Sequence, residues 1–271
     1  DDEAGAVGED QLGAGVGGAF SLTGSDATLV AGVGRDDTLR VTIADADGNR
    51  QDGSVESVPY VLAVGACLDS LLLQDYPDYE LIVLDDHSTD STPEILARLA
   101  ADNPRLRLLS GAALPAGWLG KHWACHQLSR AARGELLLFV DADTRHSPDM
   151  LTDSVSALLA EGADLVTAFP REEVVTWGEK LLVPFLGFGI LTFIPVRLVQ
   201  RLRLAALSVT IGQFMLFRRE AYQAVGGFEA VRAELVDDMC LGRNIIARGL
   251  EWRLLDGTRH VACRMYRGFW E

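Results

Sequence analysis

The stretch Gly134–His146, GELLLFVDADTRH, decides the fold, because an apolar run ends there in two aspartates one residue apart. Side chains two apart on an extended backbone point the same way, so Asp141 and Asp143 present neighbouring carboxylates at a strand end. Open α/β sheets bind ligands at the carboxyl ends of their strands. Close carboxylates repel unless a cation lies between them, and oxygen ligands suit Mg²⁺ or Mn²⁺. The stretch predicts a divalent metal site; a solvated Asp-Ala-Asp turn is the alternative.

Two more acidic pairs lie at the ends or starts of apolar segments. The run Tyr79–Leu84 leads into Asp85 and Asp86, and the Ser/Thr/Asp residues after them can cap a following helix. Further along, Asp237 and Asp238 open an apolar-periodic stretch. Three acidic strand or helix ends in one α/β domain predict one shared site.

The part of the chain that contains these pairs alternates between strand and helix patterns, as a parallel α/β sheet should. Glycines such as Gly162 and Gly249 stand where helices would end. We expect strands near 80–84, 105–109, 135–140, 164–169 and 213–217, and helices near 66–74, 93–102, 121–133, 149–161, 219–225 and 238–248.

Composition excludes several classes of protein. A net charge of −15 argues against a nucleic-acid binder, which needs clustered Lys and Arg to neutralise phosphates. The cysteines form no C-x-x-C pair, so a zinc knuckle is not indicated. They also form no dense framework, so a disulfide scaffold is not indicated. Reduced thiols are expected at all four cysteines: Cys67, Cys125, Cys240 and Cys263.

The chain divides by composition into two regions. Residues 1–54 hold eleven glycines, no lysine and one aromatic residue, Phe20, which is little with which to build a core. We expect an acidic, irregular extension there, or an artefact of the gene boundary. Residues 55–271 form the folded domain, which has enough apolar residues for a sizeable core.

Four pieces between Asp69 and Arg267 carry a family pattern: LIVLDDHSTDSTPEI, GWLGKHWACHQLSRAARGELLLFVDADT, GQFMLFRREAYQAVGGFE and VDDMCLGRNIIARGLEWRLLDG. Through them the chain resembles the family 2 glycosyltransferases of GT-A fold, whose order of motifs is the same. The runs Gly117–Lys121 and Cys263–Arg267 are most similar to the membrane-associated branch that glycosylates carotenoid or hopanoid-type lipids. The resembling proteins continue beyond the last residue toward an acceptor-side motif and membrane helices, so the domain is expected to be truncated.

The resemblance implies inverting transfer from a nucleotide-diphosphate sugar, most simply a UDP-sugar, to a hydroxyl of a lipid or membrane-associated acceptor. Asp143 would hold Mg²⁺ or Mn²⁺ directly and Asp141 would brace the ribose or the metal shell. Asp85 and Asp86 would face the nucleoside. The partners are then the donor, the acceptor and the cytoplasmic face of a membrane, reached peripherally or through helices outside this chain.

The resemblance also assigns the second acidic residue of the later pair as general base. A sugar hydroxyl is a poor nucleophile until its proton is removed, so a carboxylate in hydrogen-bond reach is required. That residue is Asp238, and Asp237 would orient it or the acceptor. A structural reading makes both of them helix N-terminal acids that the macrodipole favours.

Lys121 and two histidines follow a glycine-containing turn. Lys121 opens a helix, where backbone N–H groups and the dipole favour anions, so a diphosphate contact is expected; a solvated helix lysine is the alternative. His122 and His126 lie one helical turn apart with Cys125 beside them. This spacing could chelate zinc, but no H-E-x-x-H pattern is present, so packing or surface roles are expected.

Leu181–Val196, LLVPFLGFGILTFIPV, is sixteen residues without a charge. It falls short of the roughly 20 residues that span a bilayer, and two prolines interrupt it. Arginines at 197, 201 and 203 follow, an arrangement typical of a segment lying in a headgroup interface. A buried pair of core helices is the alternative.

One departure from the family leaves other functions open. The family's first strand runs into a Pro-Ala-Arg-Asn-Glu-like loop that helps to seat the base, whereas residues 55–64 here read VESVPYVLAV. Tyr60–Val64 would keep the strand without the Arg, Asn and Glu. A catalytically silent sugar-nucleotide-binding domain is therefore one alternative. A haloacid-dehalogenase-like phosphatase is another, although Arg145 occupies the place where its motif wants Thr or Val.

Overall fold

An eight-stranded mixed sheet forms the centre of the computed structural model, which describes residues 19–23, 27–33 and 64–264. The strands in spatial order are β10 (Trp252–Asp256), β7 (Leu165–Phe169), β9 (Phe214–Arg218), β5 (Leu136–Asp141), β1 (Ala19–Thr23), β2 (Ala27–Val33), β3 (Tyr79–Asp85) and β4 (Leu106–Ser110). Six of the eight run in one direction, and β1 and β9 run against them.

The central strands are buried on both faces, which explains why their sequences are continuously apolar. Along β5, Leu136, Leu138 and Val140 enter one hydrophobic cluster, while Leu137 and Phe139 enter the other. Helices cover both faces. Their bounds are 64–72, Thr92–Asp102, Gly120–Ala131, Met150–Ala160, Trp177–Phe193, Val196–Leu202, Arg219–Ala224, Gly227–Ala230 and Asp237–Ala247, with a 3₁₀ turn at Ala205–Leu207.

A second, three-stranded sheet stands at the carboxyl edge of the large one. β11 (Val261–Cys263) pairs antiparallel with β6 (Thr144–His146) and parallel with β8 (Arg171–Glu172). Because β6 follows Asp143 directly, this small sheet holds the far side of the acidic turn in place.

The expected elements of the folded region are confirmed, and the mainly parallel α/β sandwich with them. Strands β6, β8, β10 and β11 were not predicted. Within residues 1–54 the structure differs from the expected irregular chain, because β1 and β2 pair with β3 and β5. The expected strand Tyr60–Val64 lies outside the described residues except for Val64, which is helical.

Residues 177–207, here named the helical arm, expose most of their large apolar side chains. Trp177 is 82% exposed, Phe185 66% and Phe193 82%, whereas Val183 is buried. The alternative of a buried pair of core helices is therefore wrong for these exposed side chains. In the parts of the chain that the structure describes, no helix reaches the length and apolarity that a membrane crossing requires.

Candidate active site

An ion pair between Lys121 and Asp141 forms the centre of the candidate site. Lys121 lies in the first turn of helix 120–131, Asp141 ends β5, and Nζ stands 3.0 Å from Oδ1. Burial lowers the pKa of Lys121, but the charges of Asp141 and Asp237 outweigh burial and raise it well above its ordinary value. The lysine is therefore a fixed cation at the carboxyl edge of the sheet, and its contact with a diphosphate stays a prediction.

The turn that carries Asp141 and Asp143 is held by the hydroxyl of Thr144. This hydroxyl donates to the carbonyl oxygen of Asp141 at 2.6 Å and lies 2.8 Å from Nε2 of the buried His146. Burial lowers the pKa of His146 to about 3, so its ring is neutral. The Sγ atom of Cys67 approaches the same hydroxyl at 3.8 Å. None of these contacts was predicted from the sequence.

The two carboxylates of this turn fit a divalent cation. Burial raises the pKa of Asp141 to about 6, opposed by Lys121 and reinforced by the charge of Asp143. Both side chains are partly buried oxygen donors at a strand end, the chemistry that Mg²⁺ and Mn²⁺ prefer. A second positive charge would favour the ionised form of both groups.

Asp237 is anchored next to this turn at the start of helix 237–247. Its Oδ2 atom lies 3.6 Å from Nε2 of His122, whose ring stacks on Phe228. Burial raises the pKa of Asp237, but the charge of Lys121 and the hydrogen bond from His122 outweigh burial and hold it well below its ordinary value. Asp237 is therefore a permanent anion that positions Lys121 and His122.

Asp238 has a different environment from its neighbour. The N–H of Gly212 donates to Oδ2 at 2.9 Å, and the N–H of Met239 donates to Oδ1 at 2.6 Å. Burial and the charge of Asp237 raise the pKa of Asp238 to about 6. Two adjacent aspartates with pKa values moved in opposite directions can serve as an anchor and a proton acceptor.

The backbone behind Asp238 is fixed by Thr210. Its hydroxyl donates to the carbonyl oxygen of Asp238 at 2.6 Å. Gly242, one turn along the helix, leaves room for this contact, because a Cβ there would stand 2.5 Å from Cγ2 of Thr210. Gly212 begins the motif GQFMLFRREAYQAVGGFE, but the sequence did not predict its hydrogen bond to Asp238.

Asp85 ends β3 at the same edge of the sheet and Asp86 follows it directly, each with contacts of its own. Ser88 donates to Oδ1 of Asp85 through its N–H at 3.0 Å and its hydroxyl at 2.7 Å. Asp86 is buried against Gly111, where a Cβ would stand 2.4 Å from Oδ1 of Asp86. That Asp85 and Asp86 face the nucleoside of the donor stays a prediction.

The structure thus joins Lys121, Asp141, Asp143, Asp237 and Asp238 electrostatically. It places the pair at 85 and 86 at the same edge of the sheet, at the carboxyl end of β3. The zinc alternative fails on packing. His122 pairs with Asp237, and the ring of His126 packs against two tryptophans, with centroids 5.0 and 5.6 Å away.

A separate acidic group with a histidine lies on the surface. Carboxylate oxygens of Asp149 and Asp153 stand 3.4 Å from the two ring nitrogens of His260. Among the described residues this is the one set of three or more whose ligand atoms lie close enough for one ion. Because each carboxylate faces a different ring nitrogen, the two acids flank the imidazole ring.

With this geometry in hand, comparison with known proteins decides the family. A family model for glycosyl transferase family 2 matches residues 62–226, more than half of the chain. The chain belongs to this family. The match contains Asp85, Asp86, Lys121, Asp141 and Asp143, and it ends before the later aspartate pair.

Members of the family and of the fold resemble the chain over its folded part. It is 30% identical over 175 residues to beta-monoglucosyldiacylglycerol synthase of Nostoc sp., which covers 62% of this chain and 35% of that protein. It is 26% identical over 197 residues to a dolichyl-phosphate beta-glucosyltransferase of Trichomonas vaginalis, covering 67% and 56%. The chain spans about a third of the length of the curated synthases it matches.

A solved structure supports the fold. A mannosyltransferase of Pyrobaculum calidifontis, in complex with GDP-Man and Mn²⁺, matches with a TM-score of 0.54 at 22% identity, covering 75% of this chain and 53% of that one. The likeness confirms the GT-A architecture expected from the sequence.

Proposed function

We propose that the chain transfers a sugar from a nucleotide-diphosphate sugar, most simply a UDP-sugar, to a hydroxyl of a lipid or membrane-associated acceptor, with inversion. The cluster around Lys121 carries the proposal, because it gathers a fixed cation, two strand-end carboxylates and a further acidic pair. The cation can bind a diphosphate, the strand-end carboxylates can bind a divalent metal, and the further acidic pair can accept the proton of a hydroxyl nucleophile.

On the donor side, the ammonium of Lys121 binds a diphosphate oxygen. Asp143 and Asp141 would hold Mn²⁺ or Mg²⁺, and the cation would supply positive charge against the diphosphate leaving group. Asp85 and Asp86 face the nucleoside from β3. The sequence of residues 55–64 departs from the family's base-seating loop, so donor binding is the first property to measure.

On the acceptor side, Asp238 removes the proton of the attacking hydroxyl as the new glycosidic bond forms in line with the departing diphosphate. Its pKa of about 6 leaves it mostly ionised at neutral pH, yet basic enough to accept a proton. Asp237 stays anionic and holds Lys121 and His122 in place.

A lipid acceptor is supported by two observations. The Nostoc relative is a synthase of a glucosyldiacylglycerol, which is a lipid. The helical arm exposes apolar side chains beside basic ones, an arrangement that suits a membrane surface. We therefore propose peripheral docking at the cytoplasmic face.

A donor panel tests the proposal. UDP-, GDP- and dTDP-sugars are added with Mn²⁺, binding is followed by thermal shift, and nucleotide release is measured with diacylglycerol vesicles. A donor at a hundred times its Kd should stabilise the fold by about 2.7 kcal/mol. Asp143→Ala should lose metal-dependent UDP binding, whereas Asp102→Ala, at an exposed helix end, should keep it.

The possible outcomes separate the two candidate functions. Binding followed by nucleotide release supports a transferase. Donor binding without release with any acceptor identifies the catalytically silent domain. Unchanged UDP affinity with Mn²⁺ in Asp143→Ala would remove the metal assignment.

A further inference from the structure

A cavity of about 390 Å³ lies beside the helical arm, apart from the cluster around Lys121. It opens at the edge strand β10, three places from β5 in the order of the sheet. Its lining consists of Gln200, Arg201, Arg203, Glu251 and Arg253. The proposed transfer reaction leaves this cavity unused.

The charges around the cavity favour an anion. Glu251 pairs with Arg203 and, at 3.0 Å, with Arg253, which also pairs with Glu161 at 3.2 Å. A guanidinium group has five N–H donors, so both arginines keep donors that these pairs do not use. Arg201 is exposed and makes no ion pair with any described residue. The three arginines thus outnumber the two carboxylates.

Arg203 caps the carboxyl end of helix 196–202 in the left-handed conformation, with φ 52° and ψ 46°. Arg201, inside this helix, and Arg203, at its end, both line the cavity.

Exposed leucines lie next to the lining arginines Arg201 and Arg203 in the sequence. Leu198, Leu202, Leu204 and Leu207 are between 39% and 55% exposed on the same segment. Arginine donors within exposed leucines match a charged headgroup above acyl chains. We infer that the cavity binds the phosphate group of an anionic membrane lipid. This inference rests on the membrane docking in the proposed function and adds a specific headgroup site to it.

Vesicle cosedimentation of the full chain tests the inference. Phosphatidylcholine vesicles are used alone, with phosphatidylglycerol, and with oleate, which is anionic but carries no phosphate. Arg201→Gln is the main variant, because this exposed arginine has no ion pair to lose. Arg98→Gln, an exposed arginine on helix 92–102 beside the opposite edge of the sheet, is the matched control.

The wild type should prefer phosphatidylglycerol vesicles, and Arg201→Gln should weaken that binding about fivefold while Arg98→Gln leaves it unchanged. Soluble glycerol phosphate should compete only weakly, since it lacks acyl chains. Equal binding to oleate vesicles, equal losses in both variants, or full competition by glycerol phosphate would each overturn the inference.

The assay also separates this inference from the proposed function. If Arg201→Gln binds phosphatidylglycerol vesicles as the wild type does, membrane docking stands and the headgroup site is wrong. If the wild type binds no vesicle, the headgroup site and the docking both fail, while donor binding at Asp143 is measured independently.

Discussion

At the scale of single residues, substitution of Asp238 should affect the rate of turnover but not the binding of the donor. Asp238→Asn keeps the shape of the side chain and can still accept from Gly212, so the donor should bind normally. Loss of the proton acceptor should slow turnover by roughly a hundredfold or more. Calorimetry of donor binding beside single-turnover rates makes the comparison. A variant that retains most of its turnover would place the base elsewhere.

The raised pKa of Asp238 also sets a pH dependence. Only the ionised carboxylate accepts a proton, so activity should be complete above the pKa and fall as pH drops through about 6. The groups that face this carboxylate are Asp237, Lys121 and the N–H groups of Gly212 and Met239. The measurement is kcat/KM against pH, and a flat profile between pH 5 and 7 would contradict the assignment.

Thr144 should matter through the turn that it fixes. Thr144→Val keeps the volume but removes the donor to the carbonyl oxygen of Asp141, so Asp141 and Asp143 should lose their fixed spacing. We expect Mn²⁺ to bind the variant roughly tenfold more weakly. Thr144→Ser keeps the hydroxyl and should behave as wild type. Equal Mn²⁺ affinity in both variants, measured by calorimetry, would show that the hydroxyl is unimportant.

The sequence showed which residues carry charge at the site but not how these residues pair. The strand ending in Asp141 and Asp143 was visible from one apolar run and the two-residue spacing. The pairing of His122 with Asp237 joins residues on different helices, and the contact of Gly212 with Asp238 crosses from a loop to a helix. Such contacts depend on tertiary packing, which periodicity does not report.

At the scale of elements, the helical arm depends on one buried carboxylate near its start. Glu179 accepts from Val175 N–H at 2.6 Å and from the hydroxyl of Thr176 at 2.8 Å, and it pairs with Arg264 at 2.9 Å. Burial raises its pKa, but these partners outweigh burial and lower it to about 2. The folded state is therefore stabilised by this group above pH 4.5, and the contribution is lost as pH falls toward 2.

Glu179→Gln should loosen the start of the arm. The amide keeps some hydrogen bonds but loses the charge that Arg264 faces, so the free energy of unfolding should drop by about 1–2 kcal/mol. Urea unfolding at pH 7 measures the change, and the difference from wild type should shrink below pH 4. Glu94→Gln, in the first turn of helix 92–102, is the control. Equal effects of the two substitutions would argue against an anchoring role.

The elements themselves differed in how visible they were. A long apolar run such as Leu136–Val140 is predicted as a buried strand from its own sequence. β11 is only three residues long, and it is a strand because it pairs with β6 and β8. β2 reads ATLVAGV between glycine-rich stretches, and its composition gave no reason to expect a place among buried strands. Its position comes from pairing with two partners.

At the scale of the whole molecule, the acidic first region contributes to the sheet. Deleting residues 1–54 removes β2, which pairs with β3 and with β5. The N–H and C=O groups of those strands would then lack partners in the middle of a sheet. We expect the deletion variant to be largely insoluble. Deleting only residues 1–18, which precede β1, should leave solubility unchanged.

The deletion of residues 1–54 has one outcome that would contradict this prediction. A soluble, cooperatively unfolding chain that begins at residue 55 would show that another segment fills the sheet, and the folded domain would then begin there, as its composition suggests. Gel filtration and thermal unfolding of the two deletion variants distinguish these cases.

The position of β2 also bears on how the chain folds. β2 ends at Val33, β3 begins at Tyr79 and β5 begins at Leu136, so the centre of the sheet is assembled from contacts distant in sequence. Such topologies refold slowly, because loops must close before the contacts form. During synthesis β2 leaves the ribosome before β3 and β5, so it stays unpaired with both until they emerge. A chaperone that holds this early strand should therefore raise the yield of folded protein.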